Sequence, residues 1–207
     1  MKKHYITGLV FALLFALASA AFVQRAVRAG DTPTSGAVIG QPIADFTLPD
    51  TDGKKQSLAS LKGKNGTVFI FIATRCPVSN AYNTRMEKVW QDYKARGINV
   101  VGINSNWSEP TGQVKAHADE NHLTFKILKD DGNKVADQLG AAVTPEAYLL
   151  DAAGKLVYHG RIDNSRNGDA ISSNDLRDAM DDVLAAKPVA KTEAKAFGCT
   201  IKRAAAQ

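Results

Sequence analysis

Cysteine is scarce in this chain: its 207 residues contain two, Cys76 and Cys199. At most one intramolecular bridge can form; the alternative is two free thiols. Histidine is nearly as rare, with four in the chain. His117 and His122 stand five apart on a predicted helix and so do not share a face, and His159 stands alone near a strand end. No pair has zinc-ligand spacing, and Ser79 and Asn80 beside Cys76 offer no second thiolate of the kind soft copper prefers. Glycine-rich phosphate loops, internal repeats and low-complexity blocks are absent. No cofactor or metal is expected.

Acidic residues are missing from the first 29 positions, which hold Lys2, Lys3, Arg25 and Arg28. An apolar run from Leu9 to Val23 follows the two lysines, and Ala18-Ser19-Ala20 and Val27-Arg28-Ala29 end on small residues. This is the three-part pattern of a secretory signal peptide. The run is short against the roughly 20 residues of a membrane span. Residues 1–29 are therefore expected to be a cleaved leader, and the protein periplasmic or secreted. Membrane contact would come only through an uncleaved leader. No lipobox cysteine follows the run. The chain carries 26 Lys and Arg against 21 Asp and Glu; without the leader 22 face 21, so the alkaline balance belongs to the leader and nucleic acid is not expected as a partner.

The remainder fits one domain. Residues 30–40, small and polar, are expected to form a linker, 41–187 the folded domain, and 188–207 a loosely ordered tail carrying Cys199. Ile43–Leu48 reads as a strand before a turn at 49–53. Thr67–Ala73 is a continuous apolar run of the kind buried in the middle of a sheet. A helix is expected from Val78 to Arg96, with Tyr82, Met86, Val89 and Tyr93 on one stripe and Gly97 ending it. Strand Ile98–Ile103, a helix opened by Glu109-Pro110 and running to His122, strand Phe125–Leu128 and helix Asn133–Leu139 come next. A hairpin of Ala147–Leu150 with Leu156–Tyr158 and a helix from Asn174 toward Lys187 complete the pattern. This alternation predicts an α/β fold: a central mixed β-sheet flanked by helices, with an N-terminal β-hairpin extension.

Cys76 lies where the central strand gives way to a helix. Unpaired N–H groups at a helix start favour a thiolate, and a neighbouring cation such as Arg75 adds to that if its side chain turns inward. Pro77 suits a first helical turn. A buried, inert cysteine is the plain alternative; strand-end placement before proline favours reactivity. Trp107 follows a strand at the same sheet edge and either lines the site or packs a loop.

Phe71-Ile72-Ala73-Thr74-Arg75-Cys76-Pro77-Val78-Ser79 resembles the active-site segment of exported thioredoxin-like proteins. Ile43–Asp50 with Gly53, Leu58 and Gly63 resembles the redoxin superfamily, the alkyl hydroperoxide reductase and thiol-specific antioxidant type. Gly102–Asn106, Val143–Glu146, Gly160–Asn164 and Gly198–Lys202 are similar to its peroxiredoxin-like branch. The resemblance implies a thioredoxin-like fold over about residues 40–203 and a thiol-disulfide oxidoreductase or thiol peroxidase with Cys76 as the reactive group. It implies that Thr74, Arg75, Pro77, Ser79, Thr144 and Pro145 activate the thiolate or position substrate. The chain departs from the pattern in three places. Ser79 replaces the second cysteine of a Cys-X-X-Cys motif, so no local disulfide can close. Ala73 and Phe69 stand where typical peroxiredoxins have threonine and proline. Thr144-Pro145 stands where they have an arginine, and resembles the cis-proline loop with which thioredoxins hold an extended peptide by β-addition.

Cys199 is expected either to resolve the intermediate formed on Cys76 or to make a static disulfide pinning the tail, with an intermolecular bridge the weaker third choice. The expected partners are a protein disulfide or peroxide substrate and an external thiol reductant. The other class is a non-catalytic module that holds a partner peptide at the Pro145 loop.

Overall fold

The computed structural model describes residues 36–204. The leader read at 1–29 and most of the linker lie outside the described residues.

A short antiparallel hairpin comes first: β1 (Thr47–Pro49) pairs with β2 (Lys55–Ser57). The strand expected from Ile43 begins only at Thr47. Helix α1 (Leu58–Leu61) follows, its N-cap Ser57 accepting from the Ser60 N–H. The chain then enters β3 (Gly66–Phe71), buried along its whole length. After β3 come α2 (Pro77–Ala81), α3 (Asn83–Tyr93), β4 (Ile98–Asn104), α4 (Thr111–Glu120), β5 (Lys126–Lys129) and α5 (Lys134–Leu139). Then β6 (Val143–Thr144), β7 (Glu146–Asp151), β8 (Leu156–Gly160), α6 (Asp175–Leu184), β9 (Glu193–Ala194) and β10 (Cys199–Thr200) complete the order.

The central sheet has the order β5-β4-β3-β7-β8-β9. β3 runs parallel to β4 and antiparallel to β7, so the expected mixed sheet is present. Period-two alternation along β3 divides the core. Val68, Ile70 and Ile72 pack with Met86, Val89 and Tyr93 of α3, Val114 of α4 and Leu176 and Met180 of α6. Phe69 and Phe71 face the other way, onto Leu58 and Leu61 of α1 and Val135 and Leu139 of α5. A strand covered on both faces has no polar side to alternate, and its sequence reads as one apolar run for that reason. Among the described residues no helix is long and apolar enough to cross a membrane.

Two further expectations fail. The helix expected from Val78 to Arg96 is broken at Tyr82. The Tyr82 N–H donates to the Ser79 carbonyl at 3.0 Å, a tight three-residue closure, before the α-helical pattern resumes with Met86 N–H to Tyr82 O. The Tyr82 hydroxyl, buried against Asp163 Oδ1 at 2.9 Å, holds the break in place. A turn of 3₁₀ helix (Lys94–Arg96) then leads to Gly97, whose φ of 81° is the left-handed ending expected of it.

The second failure is the tail. Residues 188–204 are not loosely ordered. β9 extends the sheet in parallel beside β8, and β10 pairs antiparallel with β6. Their composition looked unstructured because each strand is only two residues long, and what docks them is backbone hydrogen bonding and two buried side chains, Ala194 and Ile201. Neither leaves a periodic pattern.

Candidate active site

Where β3 ends, the chain crosses from Ala73 to Cys76 before α2 begins. That crossing is held by a carboxylate. The Thr74 N–H donates to Glu109 Oε2 at 2.9 Å and the Arg75 N–H to Oε1 at 3.1 Å. Asn104 Nδ2 and Asn106 Nδ2 donate to the same two oxygens at 2.6 and 3.1 Å. Glu109 is buried. Burial works against its charge, but the Thr74 N–H, Asn104, the Arg75 N–H and Asn106 outweigh it and hold the carboxyl below its ordinary value.

Cys76 is the N-cap of α2. Its sulfur accepts from the Ser79 N–H at 3.3 Å, and Pro77 occupies the first helical position. Ser79, fully buried, also accepts the Ala73 N–H on Oγ at 3.1 Å. It therefore pins the end of β3 to the start of α2, which is what this position does in place of carrying a second thiol.

The Thr144-Pro145 peptide bond is cis. It presents the Thr144 carbonyl 3.3 Å from Cys76 Sγ. Against the same short strand lies β10, with Cys199 opposite Thr144 and Thr200 opposite Val143. The two sulfurs are neighbours, and both cysteines are unbridged. Cys76 is 2% exposed and Cys199 half-buried. Cys76, Ser79, Thr144, Pro145 and Cys199 thus come together from positions up to 123 residues apart.

Arg75 and Thr74 are placed otherwise. The guanidinium donates to Gln113 Oε1 at 2.7 Å on the surface, and Gln113 Nε2 donates to the Thr74 hydroxyl at 2.7 Å. Neither side chain is among the groups hydrogen-bonded to the Cys76 sulfur. Both residues serve the site through their backbone N–H groups on Glu109. The Trp107 side chain is exposed beside this edge, and its backbone N–H donates to the Lys202 carbonyl at 3.1 Å.

The electrostatics separate the two thiols. Burial raises the Cys76 pKa, but hydrogen bonds from the Cys199 thiol, the Ser79 N–H, the Thr144 hydroxyl and the Cys199 backbone prevail and lower it overall. Cys199 moves the opposite way: its hydrogen bond to Cys76, burial and the neighbouring negative charge keep its proton on. Of the two, Cys76 gives up its proton first, and Cys199 is the thiol that donates to it. Alkylation of Cys76 should follow the thiolate fraction, with a midpoint below the roughly 8.5 of a free thiol. Cys199→Ala removes the strongest opposing donor and should move that midpoint upward, as rates measured against pH will show. An unchanged midpoint would disprove the donor role.

Glu109 was missed as a site residue, and the sequence placed it only at a helix start. The usable signal was topological: it follows Asn104 and Asn106 at the end of β4, the parallel neighbour of β3. The histidines stay outside. His159 Nε2 meets Glu146 Oε1 at 2.6 Å, and Glu146 in turn accepts the Ala142 and Val143 N–H groups, bracing β6 from behind. His117 faces Asn83. Among the described residues no group of three or more His, Cys, Asp or Glu is placed to hold a metal ion.

A cis X-Pro carbonyl set against a cysteine at a strand-to-helix junction, on a mixed sheet covered by helices, is the arrangement of the thioredoxin fold. Comparison with known proteins narrows the class. A crystal structure of a hypothetical protein from Sinorhizobium meliloti 1021 superposes with a TM-score of 0.77 at 36% identity, covering 83% of this chain and 98% of that one. Thiol-disulfide oxidoreductase ResA of Halalkalibacterium halodurans is 32% identical over 118 residues, covering 57% of this chain and 65% of the relative. Peroxiredoxin Q, chloroplastic, of Populus jackii is 32% identical over 139 residues, covering 63% and 64%. The chain thus spans just under two thirds of the length of these two curated relatives. Residues 39–159 match the AhpC/TSA family, and the chain belongs to it.

Proposed function

We propose that this chain is an exported thiol oxidoreductase whose working unit is the pair Cys76 and Cys199. One observation carries the reading: the pairing of β10 with β6 holds Cys199 opposite Thr144, beside the sulfur of Cys76. The resolving thiol is already in place and needs no long swing of a loose tail. A static structural bridge fits less well, because β9, β10 and the buried Ile201 already dock the tail without one.

Two oxidants suit the pair, and the relatives named above include both kinds of protein. With a hydroperoxide, the Cys76 thiolate attacks one peroxide oxygen and the O–O bond breaks. The alkoxide leaves and takes up a proton, and Cys76 becomes a sulfenic acid. Cys199 then attacks that sulfur, its proton leaving with the hydroxide as water. With a disulfide, Cys76 displaces one thiolate and Cys199 displaces the other. Either route removes two electrons from the two thiols and forms a Cys76–Cys199 bond. An external thiol reductant returns the electrons and reopens it.

Export rests on the leader, with its positive start, apolar run and small-residue sites. A mature mass beginning after Ala20 or Ala29 in the extracytoplasmic fraction supports it; an intact chain in the cytosol overturns it. The catalytic reading is tested by reductant consumption. With dithiothreitol and either hydrogen peroxide or hydroxyethyl disulfide, the protein should consume many equivalents of dithiothreitol. Consumption no faster than in a protein-free control overturns the reading.

A further inference from the structure

We infer that residues 197–203 permanently occupy the edge at which this fold would take an extended peptide, so that the dithiol serves compact oxidants, a hydroperoxide or a low-mass disulfide, and not a segment of a folded protein. The inference rests on the dithiol reading above and names its substrate class.

Binding by β-addition uses the free backbone groups of an edge strand. In β6 those groups face β10. The docking continues on both sides of the pair. The Ile201 N–H donates to the Ala142 carbonyl at 2.9 Å, and its side chain is buried with Leu139 and Ala141. The Lys202 N–H donates to Asn106 Oδ1 at 2.7 Å, and Arg203 donates to the Ala141 carbonyl at 2.8 Å. At Gly198 the contact is closer than any side chain permits: a Cβ built there would lie 1.9 Å from the Thr144 carbonyl oxygen. The strap thus lies directly on the cis-proline loop, and beneath it Cys76 is almost wholly covered.

A consequence follows from where Cys199 sits. It is part of the strap, so a peptide that took the β6 edge would lift the second thiol away with it. Peptide binding and dithiol chemistry therefore exclude one another. A compact oxidant needs only the sulfur of Cys76, reached by a small opening that leaves the strap docked. In either exchange two thiols become one disulfide, and the oxidant becomes an alcohol and water, or two thiols. The strap confines this exchange to oxidants that do not need the edge.

The test compares the reduced, desalted chain with Gly198→Ala, whose added methyl cannot coexist with the Thr144 carbonyl. Each is mixed with hydrogen peroxide, with hydroxyethyl disulfide, or with an extended ten-residue peptide carrying a mixed disulfide. Formation of the Cys76–Cys199 bridge, and of any peptide adduct on Cys76, is followed by mass. In the native chain peroxide should form the bridge and the peptide should react little. In Gly198→Ala the ratio of peptide to peroxide reaction should rise roughly tenfold or more, as partial release of a strap allows. Lys202→Pro, at an exposed position, removes the N–H held by Asn106 and should give the same change should Gly198→Ala not fold. A native chain that reacts with the peptide as readily as either variant overturns the inference alone. Failure of peroxide and of hydroxyethyl disulfide to form the bridge overturns the dithiol reading and the inference with it.

Discussion

Replacing Cys199 by serine should turn a catalyst into a reagent. In the Cys199→Ser chain the Cys76 thiolate keeps a hydrogen-bond donor beside it and should still consume one equivalent of oxidant. The product then waits for an external thiol. A thiol held beside the sulfur acts at an effective concentration far above millimolar reductant, so steady-state turnover should fall roughly 100-fold or more. Cys76→Ser should lose both the single equivalent and the turnover. Rapid mixing with one and with many equivalents of hydrogen peroxide separates the two phases. Full turnover in Cys199→Ser would show that the neighbour of Cys76 is structural.

The second large effect should come from a residue that never touches the sulfur. Glu109 gathers four donors on one buried carboxylate, two of them the N–H groups of Thr74 and Arg75 just before Cys76. Glu109→Ala leaves these donors short of partners in a buried place, at about 1–3 kcal/mol for each group that water cannot reach. A total of about 3 kcal/mol corresponds to a melting temperature lower by about 6–12 °C in a domain of this size. Glutamine should rescue little, because its amide nitrogen would point a donor at two donors.

The pH dependence follows from the lowered carboxyl pKa. The stabilisation is complete above the ordinary glutamate value near 4.3 and fades as pH falls through the lower folded-state value. The gap in melting temperature between the native chain and Glu109→Ala should therefore be widest near neutrality and narrow below roughly pH 4. Calorimetry at several pH values measures it; a gap independent of pH would remove the carboxylate from the account.

The parts of this molecule that were legible in its sequence are those whose physics is local. β3 announced itself as a run with no polar side. Cys76 before Pro77 marked a strand-to-helix turn, and Gly97 marked a helix end. Thr144-Pro145 was recognisable by resemblance, and its cis bond then brings the Thr144 carbonyl to the sulfur. The hidden parts depend on partners distant in the chain. Glu109 acts on backbone N–H groups 34 and 35 residues away, and backbone groups carry no sequence. The break at Tyr82 depends on Asp163, 81 positions later. Arg75 sat beside Cys76 in the chain, yet Gln113 draws its guanidinium to the surface. The tail looked loose because its order comes from pairing with β6 and β8, and from glycines that admit close approach, of which Gly198 is the plainest.

The claim on which the rest depends is that two thiols 123 residues apart act as one redox pair. Peptide mapping by mass, after the reduced protein meets one equivalent of hydrogen peroxide, addresses it directly. The account predicts a linked fragment pair joining residue 76 to residue 199, two hydrogens lighter than its parts, that dithiothreitol separates again. Both cysteines remaining open to alkylation after oxidant has been consumed, or a linkage between two molecules instead of within one, would contradict it.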